Sequence, residues 1–380
     1  MLVFSLRSNI EGQRVRTGIL YTKSANLQTG QSRVDIIKGP MGKIWPLLLL
    51  GLGVLAGFLF WGFKNNYRQL EFPLRDVSQK ARPLDRYTIE SLAAAQFTAS
   101  TITIDRVLVE NESLTSFVFD FNVEGKKVSG LANVPKARGE YPVIVMLRGY
   151  VDRETYTTGA GTQRAGEEFG RSGFITLAPD FLGYGESDMP SENPIEERFQ
   201  TYITVLVLLE SIKNLNTTFL ENNLAALANS DQIGIWGHSN GGQIALTVLE
   251  ITGLSYPTVL WAPVSKPFPY SVLYYTDDFD DRGKMLRRTI ADFEKDYDVE
   301  LYNVTNFFDK INAPLAIHQG TDDDSVPQKW SNQLVDELKR LGKDVEYFTY
   351  AGNDHNLVPG GWNSAVSRAI DFWVLDMGKI

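Results

Sequence analysis

The sequence predicts an α/β fold for residues 101–380, a mostly parallel sheet with helices on both faces, and three observations carry that expectation. Short apolar runs at 143–147 (VIVML), 174–178 (FITLA), 233–236 (IGIW), 258–262 (TVLWA), 315–319 (LAIHQ) and 345–350 (VEYFTY) alternate with longer helical stretches. The runs are apolar on both faces, as parallel strands covered on both sides must be. With 43% apolar and 22% charged side chains in 380 residues, the chain can bury a large core, which excludes intrinsic disorder.

The elements follow in order. Residues 1–43 carry seven Lys/Arg and read as an unstructured basic arm. Residues 44–63 (IWPLLLLGLGVLAGFLFWGF) are twenty positions without a charge, bracketed by Lys43 and Lys64. At ~1.5 Å per residue they span roughly 30 Å of hydrocarbon, so they predict one transmembrane helix in a lipid bilayer, with Trp45 and Trp61 near its ends. No small-x-small cleavage site follows it, which favours an uncleaved anchor over a removable signal peptide. The excess of basic residues in the arm puts the N-terminus in the cytoplasm and the body outside. Met41, directly before the run, is an alternative start.

Residues 64–100 read as a connector ending in a helix around 84–96. Runs at 101–109, 114–123 and 126–134 read as antiparallel strands before the alternating pattern begins. About fifty residues, 266–312, separate two later strands; an excursion of that length predicts a helical lid. Its aromatics Tyr274, Tyr275 and Phe279 are candidates to line a substrate pocket, and Asp277, Asp278, Asp280 and Asp281 to attract a cationic group.

Charge and composition narrow the function. The net charge is −9, yet residues 1–65 hold eight basic and two acidic side chains, so the remainder sums to −15 and argues against nucleic acid as partner. The absence of cysteine removes a thiol nucleophile, Cys-ligated zinc and iron–sulfur clusters. The three histidines, His238, His318 and His355, are scattered without ligand spacing, so neither a metal nor another cofactor is expected.

Gly237-His238-Ser239-Asn240-Gly241-Gly242 follows the strand at 232–236 at once and opens the helical run QIALTVLEI. A serine on such a turn stands clear of the sheet, and the new helix offers the Asn240 N–H to a developing oxyanion. A serine hydroxyl needs a base, and the base needs a carboxylate to fix its tautomer. His355, directly after the strand 345–350, fits the base; His318 sits inside a strand and reads as packed, and His238 as pointing elsewhere. The acid is expected among Asp322, Asp323 and Asp324, on the loop after the strand at 315–319; spacing does not choose between them. A second oxyanion donor is expected after the early strand, at the Tyr150 N–H, with its hydroxyl as an alternative. Asp180-Phe-Leu-Gly-Tyr-Gly-Glu-Ser reads as a structural glycine-rich turn.

Gly237-His-Ser-Asn-Gly-Gly, Gly320-Thr-Asp-Asp-Asp-Ser-Val-Pro, Asn353-Asp-His355 and Pro179-Asp-Phe-Leu-Gly-Tyr-Gly-Glu-Ser together resemble the α/β-hydrolase superfamily. Within it, residues 126–378 most resemble the catalytic domain of prolyl oligopeptidase family serine peptidases. That resemblance implies an α/β-hydrolase fold and a triad of Ser239, Asp323 and His355, because the family pattern Gly-x-x-Asp-x-x-Val-Pro selects Asp323. The turn Arg148-Gly149-Tyr150 is more similar to the His-Gly-Tyr turn of acetyl xylan esterases, and residues 65–125 are too few for the β-propeller of the larger peptidases. The expected function is therefore membrane-anchored serine hydrolysis through an acyl-enzyme, with a peptide as first substrate, an ester as alternative, and an inactive binding module as the third reading.

Overall fold

A computed structural model describes residues 81–378. The basic arm 1–43, the apolar run 44–63 and residues 64–80 of the connector lie outside the described residues.

The remainder of the connector is part of the body. A short 3-10 turn, Pro83–Tyr87, leads into helix α1, Ile89–Ala94, whose first turn is capped by Thr88 accepting from the Ser91 N–H. Leu84, Tyr87, Ile89 and Leu92 are all buried in the main core. A body starting at residue 101 is therefore too short; the apolar spacing of this segment, one turn apart, serves docking rather than linkage.

Nine strands form one sheet. β1 (Thr103–Glu110), β2 (Leu114–Val123) and β3 (Lys126–Pro135) make an antiparallel meander. They are followed by β4 (Gly139–Leu147), β5 (Ile175–Pro179), β6 (Ala226–His238), β7 (Thr258–Trp261), β8 (Leu315–Gly320) and β9 (Val345–Tyr350). The order is β1-β2-β3-β5-β4-β6-β7-β8-β9, with β3 and β5 antiparallel and every neighbouring pair from β5 to β9 parallel. The chain first winds outward from β4 to β5, then crosses to β6 on the other side. Ligand crevices in such sheets open at the carboxyl ends of the strands flanking this reversal, here β4 and β6.

Helices α2 (Gln163–Arg171), α3 (Pro194–Ser211), α4 (Leu215–Glu221) and α5 (Asn240–Thr252) follow the strands in turn. Side-chain alternation along β4 splits the core. Val143, Val145 and Leu147 join α3 and α5, whereas Ile144 and Met146 join α2 and the C-terminal helix. Asn193 starts α3 by accepting from the Ile195 and Glu196 N–H groups, with Pro194 next. Within the stretch Pro194–Glu221 an 18-residue window reaches a mean hydropathy of 1.2 and is 67% buried inside the body, as a core helix is.

Between β7 and β8 lie α6 (Tyr270–Leu273), α7 (Lys284–Phe293) and several 3-10 turns, so the insertion is helical as expected. It is no loose cover, however. Phe268, Phe293 and Tyr302 pack rings against Phe199 of α3, and the Tyr302 hydroxyl donates to the Leu84 carbonyl at 3.1 Å. Helices α8 (Gln328–Arg340) and α9 (Gly361–Met377) complete the body.

Candidate active site

Ser239 occupies the turn between β6 and α5 with φ 56° and ψ −120°, a conformation that costs a non-glycine residue free energy and persists only where its surroundings enforce it. The enforcement is visible on both sides. The Ser239 N–H donates to the Trp261 carbonyl at 2.9 Å, and its carbonyl accepts from the Gly242 and Val264 N–H groups at 3.0 Å. A side chain at Gly241 would meet the Leu147 carbonyl oxygen at 1.9 Å, and one at Gly237 the Gly241 oxygen at 2.7 Å. The two glycines are thus required by the tightness of the turn, and the hydroxyl is left outside it. Ser239 Oγ makes no hydrogen bond among the described residues.

His355 follows β9 in a turn that the structure brings against His238, the residue before this serine. The His238 Nε2 lies 3.0 Å from the His355 carbonyl oxygen, so the ring donates there, and the two imidazoles stand 4.6 Å apart. Burial and the neighbouring His355 push the His238 pKa down to about 4, so its ring is neutral and the Nε2–H tautomer makes that bond. His238 is thus aimed not at the serine hydroxyl but at the histidine turn. Alternation on β6 puts 234, 236 and 238 on one face, and that periodicity was the available signal.

Of the three aspartates only Asp323 is buried; Asp322 and Asp324 are exposed. Asp323 Oδ2 accepts from His355 Nδ1 at 2.8 Å and from the Gln319 amide at 2.9 Å, while Oδ1 accepts from the Val326 and Ser325 N–H groups at 2.8 and 3.0 Å. Burial alone raises its pKa, but the His355 contact and these donors outweigh burial and hold the carboxyl below its ordinary value. Gln319, which the sequence did not single out, is itself fixed by Ser331 donating to its carbonyl oxygen at 2.7 Å. His318 packs as expected, with Nδ1 2.8 Å from the Tyr350 hydroxyl.

The loop after β4 closes on the serine from the other side, since a Cβ on Gly149 would lie 2.9 Å from Ser239 Cβ. The N–H groups of Tyr150 and Asn240 engage no acceptor among the described residues. Arg148 is buried rather than directed at solvent. Its guanidinium donates to the Asp180 carbonyl and lies 4.0 to 5.5 Å from the rings of Tyr184, Tyr156 and Phe181. The Asp180 carboxylate in turn accepts from Ser129, Tyr156, Thr158 and the Gly159 N–H, which locks the loop between β4 and α2 and gives the glycine-rich turn its structural role.

A cavity of about 340 Å³ opens beside Asn240 and Tyr150, walled by Phe181, Leu182, Tyr184, Ile244 and Leu286, with Glu197 and Arg198 at its polar side. The insertion reaches it through Leu286. Tyr274, Tyr275 and Phe279 do not line it. Tyr274 and Tyr275 contact Trp330 of the helix that follows β8, Tyr274 remaining partly exposed, and Phe279 faces solvent. Asp281 caps the turn before α7 by accepting from the Gly283 and Met285 N–H groups, and exposed Asp277 lies 3.7 Å from Arg287.

Residues 217–378 match the model of the prolyl oligopeptidase family. The uncharacterized peptidase YtmA of Bacillus subtilis is 29% identical over 259 residues, 66% of this chain and 89% of the relative. Among solved structures, acetyl xylan esterase 1 from Thermoanaerobacterium superposes with a TM-score of 0.51 at 15% identity, over 76% of this chain and 93% of its own. A puromycin-hydrolyzing peptidase of Mycobacterium tuberculosis gives 0.51 at 18% identity, over 71% of this chain and 40% of its own. The fold is therefore that of the α/β hydrolases, residues 217–378 are similar to the prolyl oligopeptidase family, and the chain is a serine hydrolase.

Proposed function

We propose that this serine hydrolase works through Ser239, His355 and Asp323 and forms an acyl-enzyme, with a peptide bond as its substrate. The observation that carries the reading is the 2.8 Å contact from His355 Nδ1 to a buried Asp323, in a turn bonded to His238, the chain neighbour of the strained Ser239. In that arrangement Asp323 holds the proton on Nδ1, which leaves Nε2 free to accept the Ser239 proton as Oγ attacks the carbonyl. The oxyanion takes the two unengaged N–H groups, those of Asn240 and Tyr150, and the positive end of α5 adds to their field. His355 then returns the proton to the leaving group, and water repeats the sequence on the acyl-enzyme.

The peptide reading is supported by the family match and by the relative named as a peptidase. An ester is the second reading. It is favoured by Arg148-Gly149-Tyr150, where buried Arg148 fixes the loop that touches the serine and leaves the Tyr150 side chain exposed. Matched p-nitroanilide and p-nitrophenyl ester substrates with the same acyl groups separate them. A peptidase cleaves the anilide with a kcat/KM within about a hundredfold of the ester; ester cleavage without measurable anilide cleavage makes it an esterase.

We further infer that residues 44–63 anchor the protein in a membrane with the catalytic body on the outer side. The supporting observation is the twenty-residue uncharged run with lysines at both ends.

A further inference from the structure

The face of the sheet that carries α2 and α9 holds a second cavity of about 510 Å³, which shares no lining residue with the cleft beside Asn240. Its floor is made by Trp236 of β6 and Trp261 of β7, both buried, meeting edge to face at 5.2 Å. Trp362, in the first turn of α9, stands edge-on to Trp261 at 6.5 Å, and His238 closes the wall next to Trp236. The three indoles border one opening, where a flat apolar body gains from ring contacts that are favourable beyond the area that they bury.

The mouth carries the polar element. The Arg164 guanidinium of α2 lies over the Trp362 ring, 3.7 Å from its centroid, and the side chain is exposed. It makes no hydrogen bond or ion pair among the described residues. Glu167, one turn further along α2, is taken by Arg171 at 2.9 Å and by the Gln163 amide at 3.2 Å. Stacking holds the guanidinium plane and leaves its N–H edge open, the geometry that pairs with a carboxylate through two parallel bonds.

We propose that this cavity is a binding site for a small planar aromatic carboxylate, with the ring in the opening bordered by Trp236, Trp261 and Trp362 and the carboxylate on Arg164. The site is separate from the hydrolytic cleft, although His238 and Asn356, the neighbours of Ser239 and His355 in the chain, form part of its wall.

Benzoate is the probe, with benzamide as its uncharged match, and the readout is equilibrium dialysis on the full chain in detergent. The expected result is saturable benzoate binding, weakened about tenfold or more by Arg164→Gln, as loss of a charge-assisted pair requires, and weakened also by Trp362→Leu. Arg198→Gln, at the hydrolytic cleft, leaves it unchanged, and benzamide binds the unaltered protein at least about tenfold more weakly than benzoate. Arg164 is exposed, so its variant keeps the melting temperature of the parent, and the comparison with Arg198→Gln does not depend on which serine is the nucleophile. Absence of saturable benzoate binding overturns the proposal. So does binding that Arg198→Gln abolishes and Arg164→Gln leaves intact, which would place the ligand in the hydrolytic cleft.

Discussion

Asp323 receives four donors while its neighbours Asp322 and Asp324 stay in solvent, so three adjacent and chemically equal side chains have unequal roles. Asp323→Asn is expected to lower kcat by on the order of 10³-fold or more, because the amide no longer fixes the His355 tautomer or stabilises its cation. Asp322→Asn and Asp324→Asn should stay within a few-fold, and equal small losses at all three positions would move the acid elsewhere. His318 gives a pH signature of a different kind. Burial, and secondarily Arg368, push its pKa down to about 3, against ~6.5 in the unfolded chain. Below about pH 6.5 the unfolded chain takes up a proton that the folded one refuses, so stability falls as the pH drops from there toward 3, by up to ~1.4 kcal/mol per unit. His238 adds a similar loss down to about 4. Urea unfolding at stepped pH should show a shallower decline for His318→Phe; parallel curves would mean that the imidazole is already protonated in the fold.

At the scale of elements, apolar runs located two strands to the residue, the largely buried β2 and the mostly uncovered edge strand β9. β2 and β9 begin and end where the runs at 114–123 and 345–350 do. β6 begins at Ala226, six residues before the expected strand: its start, Ala-Leu-Ala-Asn-Ser-Asp, pairs with Gly139–Pro142 ahead of a register shift and buries only the small side chains of Ala226 and Ala228, too short an apolar pattern to read as a strand. Local pattern cannot display a partner 87 residues away, such as Ala226 opposite Gly139. The elbow was legible because its steric demand is written locally in Gly237 and Gly241. Gln319 was not, because its role comes from β8 standing next to the acid loop. That the insertion packs on α3 was not legible, since length and aromatic content do not reveal which rings face that helix. Phe293 is buried against Phe199, Phe268 and Tyr302, so Phe293→Ala should cost about 3–5 kcal/mol in unfolding free energy with kcat nearly unchanged. Deleting 266–312 should abolish cooperative unfolding; a deletion variant that still melts sharply would restore the idea of a dispensable cover.

For the whole molecule, an acidic hydrolase body preceded by an apolar run in a basic setting predicts a specific arrangement across a bilayer. Protease added to intact spheroplasts should digest residues beyond about 80 and spare a tag at the N-terminus, and carbonate washing should leave the protein in the membrane pellet. Protection of the body, or its release by carbonate, contradicts the anchor as drawn. The same sheet that carries the cleft on β4 and β6 also carries the aromatic cavity on β6 and β7, so the single residue His238 borders both the histidine turn and that cavity. Everything in the mechanism nevertheless depends on one nucleophile. Treatment with a fluorophosphonate probe, followed by peptide mapping, tests it most directly. The account predicts one adduct, on the peptide containing Ser239, and none in Ser239→Ala at unchanged melting temperature; an adduct that persists in that variant, or maps to another residue of the native protein, contradicts it.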